Sequence, residues 1–391
     1  MLKREIVLTD RKSIKFLASF LCILICIVSL FVFSGCTGKE VDYSNMASEN
    51  YVPSNVEVFT DELGEVAIKL NEDRDLKVLQ LTDIHIGNGP FTVKKDKKAI
   101  SAICSLIEHV VPDLIVLSGD MVFPVSIITG SNDNLAALKA LVSLIEAYKT
   151  PWTVCFGNHD AESMAKFSKS EICNYLESDE LEYCLFNRGP SELDGMGNHL
   201  INVYNFDNSF NSTIFFFDNG MYLGETQLSG YQEITESQTN WYRDKVESFS
   251  AHYGETIDSY VYYHVPGKEY ELGWEDYKNG GEDSTYFFGQ AGEKNERISC
   301  PSELGTFFPT VVELGSTKAI FCGHDHLNDF SIEYMGVRLT YGKSIDYTAY
   351  VFQGIANKTE QRGATVLTIK TSTSQSEEKF LISSIKLEDI V

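Results

Sequence analysis

The chain has 391 residues and a formal net charge of −24, with 43% apolar and 12% aromatic residues. That composition supplies a sizeable core and excludes a disordered or fibrous chain. Its acidity argues against a nucleic-acid-binding module and repels phosphate esters at long range, so any phosphate chemistry requires positive charge placed locally.

Lys3, Arg4, Arg11, Lys12 and Lys15 precede an uncharged apolar run, Phe16 to Phe33, which ends at Ser34-Gly35-Cys36. A basic lead, an apolar stretch and small residues before a cut site describe an export signal. Small-small-Cys also resembles the bacterial lipobox, with Phe33 where an aliphatic residue is usual. The run is nearly long enough to span a bilayer, so an uncleaved anchor and plain secretion are the alternatives. All three place the remainder outside the cytoplasm, touching the membrane only through residues 16–36. The expected organisation is therefore a signal, lipoprotein or anchor segment over 1–36, a polar tether over 37–60 and a single domain over 61–391. The nine cysteines show no Cys-x-x-Cys spacing, so a thiolate metal site is not expected. Cys173 and Cys184 can bridge in an oxidising compartment, although their spacing does not demand it.

Val66 to Leu70 is a candidate first strand. Leu76 to Thr82 is a second, buried strand, which ends in Asp83-Ile-His85. Side chains at i and i+2 leave a strand on the same face, so this carboxylate and imidazole can converge. Lys94 to Val110 carries Ile100, Ile103, Ile107 and Val110 on one helical face. Leu114 to Leu117, between Pro112 and Gly119, is a buried strand of the parallel type and again ends in a carboxylate, Asp120. A helix over Leu135 to Tyr148 leads to the strand Trp152 to Phe156, which ends in Gly157-Asn158-His159-Asp160. This alternation is βαβ arithmetic, and ligands of such sheets bind beyond the carboxyl ends of the strands.

His199 to Tyr204 and Ser212 to Asp218 are β-rich with Asn-containing turns, which predicts antiparallel or mixed sheet. Thr235 N-caps a helix to Phe249 that buries Trp241. Tyr260 to Tyr263 is a strand ending in His264, and residues 267–300 form a surface insertion expected to overhang the site. Ala319 to Gly323 repeats the pattern and ends in His324-Asp325-His326, and the tail alternates as strands over Ala364 to Thr371 and Phe380 to Leu387. His109, His199 and His252 are expected to be core residues.

In order, Asp83-x-His85, Gly119-Asp120, Gly157-Asn158-His159-Asp160, His264 and Gly323-His324-Asp325-His326 resemble the signature of the calcineurin-like metallophosphoesterases. The stretches around Gly189-Pro190, His264-Val265-Pro266 and Asn328-Asp329 resemble, more loosely, the compact purple-acid-phosphatase-like branch. The resemblance implies an α/β fold, a central mixed β-sandwich flanked by helices in four layers, with a di-metal site at the strand ends. It implies that Asp83, His85 and His326 hold one ion, that Asn158, His264 and His324 hold the other, and that Asp120 bridges. Oxygen and nitrogen donors without thiolate suit Fe, Mn or Zn. It further implies in-line attack on a phosphomonoester by a hydroxide shared between the ions, with His159 protonating the leaving group and Asp160 orienting it. A phosphodiesterase or nucleotidase with the same site is the alternative enzyme, and a non-catalytic surface binding protein is the alternative of another class. True purple acid phosphatases carry a Tyr three residues after the bridging Asp. Here Phe123 stands there, so a colourless centre is expected.

Overall fold

Leu114–Ser118 is buried at every position, and the reason is a sheet covered on both faces. Leu114 and Val116 pack between two sheets, while Ile115 and Leu117 pack beneath helices. The computed structural model describes residues 41–220, 222–224, 229–293, 296–350, 361–373 and 378–391. The strands are β1 (Val56–Thr60), β2 (Val66–Leu70), β3 (Leu76–Leu81), β4 (Leu114–Ser118), β5 (Trp152–Cys155), β6 (His199–Tyr204), β7 (Phe210–Phe216), β8 (Asp258–Tyr262), β9 (Ser284–Phe288), β10 (Thr317–Cys322), β11 (Ser331–Tyr334), β12 (Val337–Tyr341), β13 (Gly363–Ile369) and β14 (Phe380–Lys386). The helices are α1 (Val93–Val110), α2 (Ser126–Thr129), α3 (Asn134–Ala147), α4 (Lys169–Leu176), α5 (Glu236–Tyr253), α6 (Lys268–Lys278) and α7 (Phe307–Leu314).

One sheet has nine strands in the order β1-β2-β6-β7-β8-β10-β12-β11-β9, the other five in the order β14-β13-β3-β4-β5. They stack on Leu76, Val78, Ile214, Phe216, Tyr260, Tyr262 and Phe321. Helices α1, α3 and α4 cover the outer face of the five-stranded sheet. Helices α5, α6 and α7 cover that of the nine-stranded sheet. The result is the four-layer mixed α/β sandwich. β3, β4 and β5 run parallel in one sheet, and β7, β8, β10 and β12 in the other.

Several expectations need correction. Residues 41–60 are not a tether: Tyr43 is buried in the helical core, its N–H donates to Ser143 Oγ at 2.9 Å, and Val56–Thr60 pairs with β2. Scattered apolar side chains anchor this polar stretch. The 267–300 segment also contains regular structure: α6 carries Glu269 and Glu271 in its first turn, and β9 extends the large sheet against β11. Its acidic composition masked the aromatic β-former run Ser284-Thr-Tyr-Phe-Phe288. Helix α5 starts at Thr235 with a capping box to Gln238, but Tyr242 rather than Trp241 is its fully buried aromatic, with its hydroxyl 2.6 Å from Thr317 Oγ1. Cys104, Cys155, Cys173, Cys184, Cys300 and Cys322 are all free thiols. The 1–36 segment and Cys36 lie outside the described residues. Among the described residues no helix is long and apolar enough to cross a membrane.

His109 and His252 are exposed on helices, His252 facing Glu62 at 2.9 Å. His199 is a core residue: Nε2 lies 2.7 Å from Thr153 Oγ1, Nδ1 lies 2.8 Å from Gly197 O, and the ring stacks on Phe216. Burial lowers its pKa to about 4. The unfolded chain takes up this proton near pH 6.5, the folded chain only near pH 4, so acid favours unfolding across that window. Stability should fall by up to about 3 kcal/mol from this group between roughly pH 6.5 and 4. Urea unfolding of His199→Gln should show a shallower loss over that interval, and a slope equal to that of the native chain would refute the assignment.

Candidate metal centre

The carboxyl ends of β3, β4, β5, β8 and β10 meet at one edge of the sandwich, and each continues into a polar turn. Gln80, buried between the sheets, donates from Nε2 to Ser118 Oγ at 2.8 Å and to Cys322 O at 2.9 Å. One amide thus ties β3, β4 and β10 together just below the site.

The turns are backbone-strained where donors are presented. Asp83, His85, Asp120 and His324 have φ of 52°, 55°, 50° and 77°. Such conformations cost of order 1–3 kcal/mol each and persist only when their surroundings over-determine them. Here they do: Asp83 N donates to Gly119 O at 3.1 Å, His85 N to Asp120 O at 3.0 Å and His324 N to the Asp83 carboxylate at 3.1 Å. Two glycines permit the close approach. A Cβ on Gly119 would lie 2.4 Å from His264 Nδ1, and one on Gly157 would lie 2.2 Å from Asp120 Oδ1.

The donor atoms fall into overlapping groups, each within 4.8 Å: Asp83 with His85 and His326, Asp120 with His264 and His324, and His85 with Asp120 and His159. His326 Nε2 is 3.4 Å from Asp83 Oδ1. Asp120 Oδ2 stands between the groups, 3.4 Å from His85 Nε2 and 3.1 Å from His264 Nε2. Its Oδ1 accepts from His159 N at 2.8 Å. Asn158 is buried beside them and donates from Nδ2 to Tyr222 Oη at 2.8 Å.

Burial works to raise the pKa of Asp83, but His326 and His264 outweigh it and hold the carboxyl below its ordinary value. Asp120 likewise stays well below against burial, through His264 and His159. Burial works to lower His264, yet the adjacent Asp120 charge takes it up to about 9. His324, hemmed in by burial and by His264, falls to about 3. His159 is raised against burial by Asp120 and Glu162.

One predicted role is corrected. Asp160 does not orient His159, because its carboxylate points back under the turn. There it accepts from Gly157 N at 2.7 Å, Met121 N at 2.8 Å, Asp120 N at 3.1 Å and Val122 N at 3.2 Å. Four backbone donors claim it, so it clamps the turn after β4 to the turn after β5. Glu162 is the group that meets His159, its Oε1 lying 3.2 Å from Nδ1. Its only signal was the i, i+3 spacing. Phe123 packs edge-on to His85 and His159, at 5.3 and 4.9 Å between ring centres.

Asp346 was also missed. It lies beyond the carboxyl end of β12, which runs parallel to β10. It reaches His326 Nδ1 at 3.3 Å and His85 Nδ1 at 3.9 Å, and Ala349 N donates to it at 2.7 Å. A buried acid after an apolar strand was the available signal, without a motif to mark it. Tyr350 stacks on His326 at 4.1 Å and donates to Glu296 Oε1 at 2.6 Å. Asn328 and Asp329 accept from Gly292 N and Gln290 N at 2.9 and 2.8 Å and fix the end of the 267–300 segment. Asp325, between two donors, accepts from Ser299 N and Tyr341 Oη at 2.9 and 2.7 Å.

The residues fit a pair of metal ions on their own chemistry. His85 Nε2, Asn158 Oδ1, His264 Nε2 and His324 Nδ1 are buried atoms without a hydrogen-bond partner. Leaving each unpaired costs about 1–3 kcal/mol, which a coordinated ion removes. Imidazole, amide and carboxylate donors without thiolate select a borderline or hard transition ion.

A family model described as calcineurin-like phosphoesterase matches residues 76–328. "Probable inactive purple acid phosphatase 28" of Arabidopsis thaliana is 30% identical over 327 residues, spanning 72% of this chain and 73% of that protein. "Phosphatase DCR2" of Saccharomyces cerevisiae is 28% identical over 287 residues, spanning 69% of this chain and 47% of that protein. A dimetal phosphatase from Danio rerio superposes with a TM-score of 0.51 and 11% identity, over 81% of this chain and 97% of that one, which is a likeness of fold.

Asp346 faces the outer nitrogens of two donor imidazoles, so Asp346→Asn should lower metal affinity by about 10–100-fold. Competition titration of the purified protein with a chromophoric chelator measures this, and unchanged affinity would remove Asp346 from the site.

Proposed function

This chain belongs to the calcineurin-like phosphoesterase family, whose members are hydrolases of phosphate esters, and from that premise we propose that it is a two-metal phosphomonoesterase. The observation that carries the reading is the convergence of seven donor side chains at one edge of both sheets, with His85, Asn158, His264 and His324 each presenting a partnerless buried atom. Asp83, His85 and His326 would hold one ion, Asn158, His264 and His324 the other, and Asp120 would serve both. Fe, Mn or Zn suits that set. When bound, such ions supply positive charge and an activated water for in-line displacement.

The chain's own residues supply the rest. With Nδ1 engaged by Glu162, His159 has Nε2 left to carry a proton to the leaving alkoxide. Phe123 and His85 pack against its ring, Phe123 at 4.9 Å and His85 at 5.4 Å, limiting rotation and excluding water from that side. Asp160 keeps the turns bearing Asp120 and Asn158 in register. Neither Ser nor Cys is required as a nucleophile, and Cys155 and Cys322 are buried thiols raised in pKa by burial.

The word "inactive" in the name of the Arabidopsis relative favours a second reading, a binding protein that keeps the fold without turnover. Against it stands a donor set with no member replaced. For location we propose attachment outside the cytoplasm through residues 16–36, by lipidation of Cys36 or by an uncleaved anchor.

Purified protein should contain about two transition-metal ions per chain, lose p-nitrophenyl phosphate hydrolysis on chelation and regain it with Mn. Asp120→Asn should abolish turnover without unfolding the chain. Absence of metal together with absence of turnover would leave the binding protein standing, and strong preference for bis-p-nitrophenyl phosphate would make the enzyme a diesterase. Replacing Glu162 by Gln should slow an alkyl phosphate by up to about 10²-fold, and p-nitrophenyl phosphate much less, because that leaving group needs little protonation. Equal losses on the two esters would dissociate Glu162 from proton delivery.

A further inference from the structure

The described residues between Asp218 and Tyr231 lie against the second donor group and are held at several independent points. Lys169 Nζ donates to both Asp218 oxygens at 2.8 and 2.7 Å. Asn219 Oδ1 accepts from His264 N and Val265 N, both at 3.1 Å, and its Nδ2 donates to Val265 O at 2.6 Å. At Gly220 the chain lies so close to the turn after β5 that a Cβ would meet Gly157 C at 2.7 Å and Phe156 O at 2.8 Å. Beyond it Tyr222 bridges to Tyr231, Leu223 N donates to Gly230 O at 2.9 Å, and the Tyr231 ring meets His324 edge-on at 4.5 Å. A half-buried tyrosine is thereby fixed beside Asn158 rather than left to wander.

The direction of its hydrogen bond matters. An amide nitrogen only donates, so Tyr222 Oη accepts from Asn158 Nδ2 at 2.8 Å and keeps its own proton for another acceptor. The same contact turns Asn158 Oδ1, which has no partner of its own, away from Tyr222. Cations near the site are engaged elsewhere: Lys343 pairs with Asp329 and Lys169 with Asp218. Among the described residues, the ion pairs of Asp83 and Asp120 are with histidines alone. Among the described residues, a phosphoryl group brought here would find no Lys or Arg on those carboxylates, while the neutral Tyr222 O–H stands at the edge of the donor set.

We propose that Tyr222 contacts the substrate, donating its hydroxyl proton to a phosphoryl oxygen of the ester while its oxygen holds Asn158 in the ligating orientation. This rests on the phosphomonoesterase reading. The test compares the full chain with Tyr222→Phe, both Mn-loaded, by calorimetric binding of inorganic phosphate, by metal content and by p-nitrophenyl phosphate kinetics. A lost hydrogen bond to a charged group corresponds to about 10–100-fold. Phosphate affinity and kcat/KM of the variant should therefore both fall about tenfold or more and stay low in excess Mn, with the thermal midpoint unchanged. Phosphate affinity equal to that of the native chain would overturn the proposal. So would a loss fully restored by excess Mn, which would limit Tyr222 to holding Asn158. A native chain that binds metal and phosphate without hydrolysing any ester would instead overturn the enzymatic reading and leave Tyr222 as an anion-binding residue to be judged by the phosphate titration.

Discussion

Everything at the working edge of this protein depends on one buried carboxylate, Asp120, shared between two sheets. Its oxygens are reached by His85 from β3, by His159 beyond β5 and by His264 from β8. Burial opposes charge on Asp120, and the surrounding imidazoles overcome that opposition. A buried acid in this position is tolerable only with compensating positive charge nearby. The left-handed residues, the bare glycines and the clamp made by Asp160 all serve to bring that charge within reach. Gly157 shows how little slack remains, since a single methyl group there would occupy the space of Asp120.

Much of this was legible in the chain because strand ends are written locally. Apolar runs such as Leu114 to Leu117 followed at once by Gly119-Asp120 state both burial and what the buried strand delivers. All seven proposed donors lie in or beside such runs, and the structure brings them to one edge. What stayed hidden are the groups whose roles exist only across space. Asp346 acquires its role because β12 runs parallel beside β10, a pairing the sequence does not advertise. Tyr222 matters through a loop folded onto another loop. Asp160 was misassigned for the complementary reason: adjacency to His159 suggested partnership, whereas its side chain turns toward four amides behind it.

The same distinction explains the errors in the fold. Residues 41–60 and 267–300 are polar by composition, and composition suggested a tether and a surface insertion overhanging the site. A few well-spaced side chains decide otherwise. Tyr43 enters the helical core, Trp274 stacks on Phe330 at 4.5 Å, and Tyr277 stacks on Tyr286 at 5.1 Å. Aromatic area buried at a few points outweighs the average polarity of a segment.

The two proposed ion positions are not electrostatically equivalent, and the inequality comes from the layer behind the donors. Around Asp83, His85 and His326 the outer nitrogens face Asp346, a second carboxylate held below its ordinary pKa against burial by His326 and His85. Behind His264 and Asn158 the corresponding groups are neutral: His264 Nδ1 meets the Ser118 carbonyl at 2.9 Å, and Asn158 leans on the Tyr222 hydroxyl. A carboxylate behind an imidazole raises its basicity more than a carbonyl or a phenol does. The first position is therefore the one backed by a second carboxylate. Asp120, serving both, is the one donor whose loss would leave neither position complete.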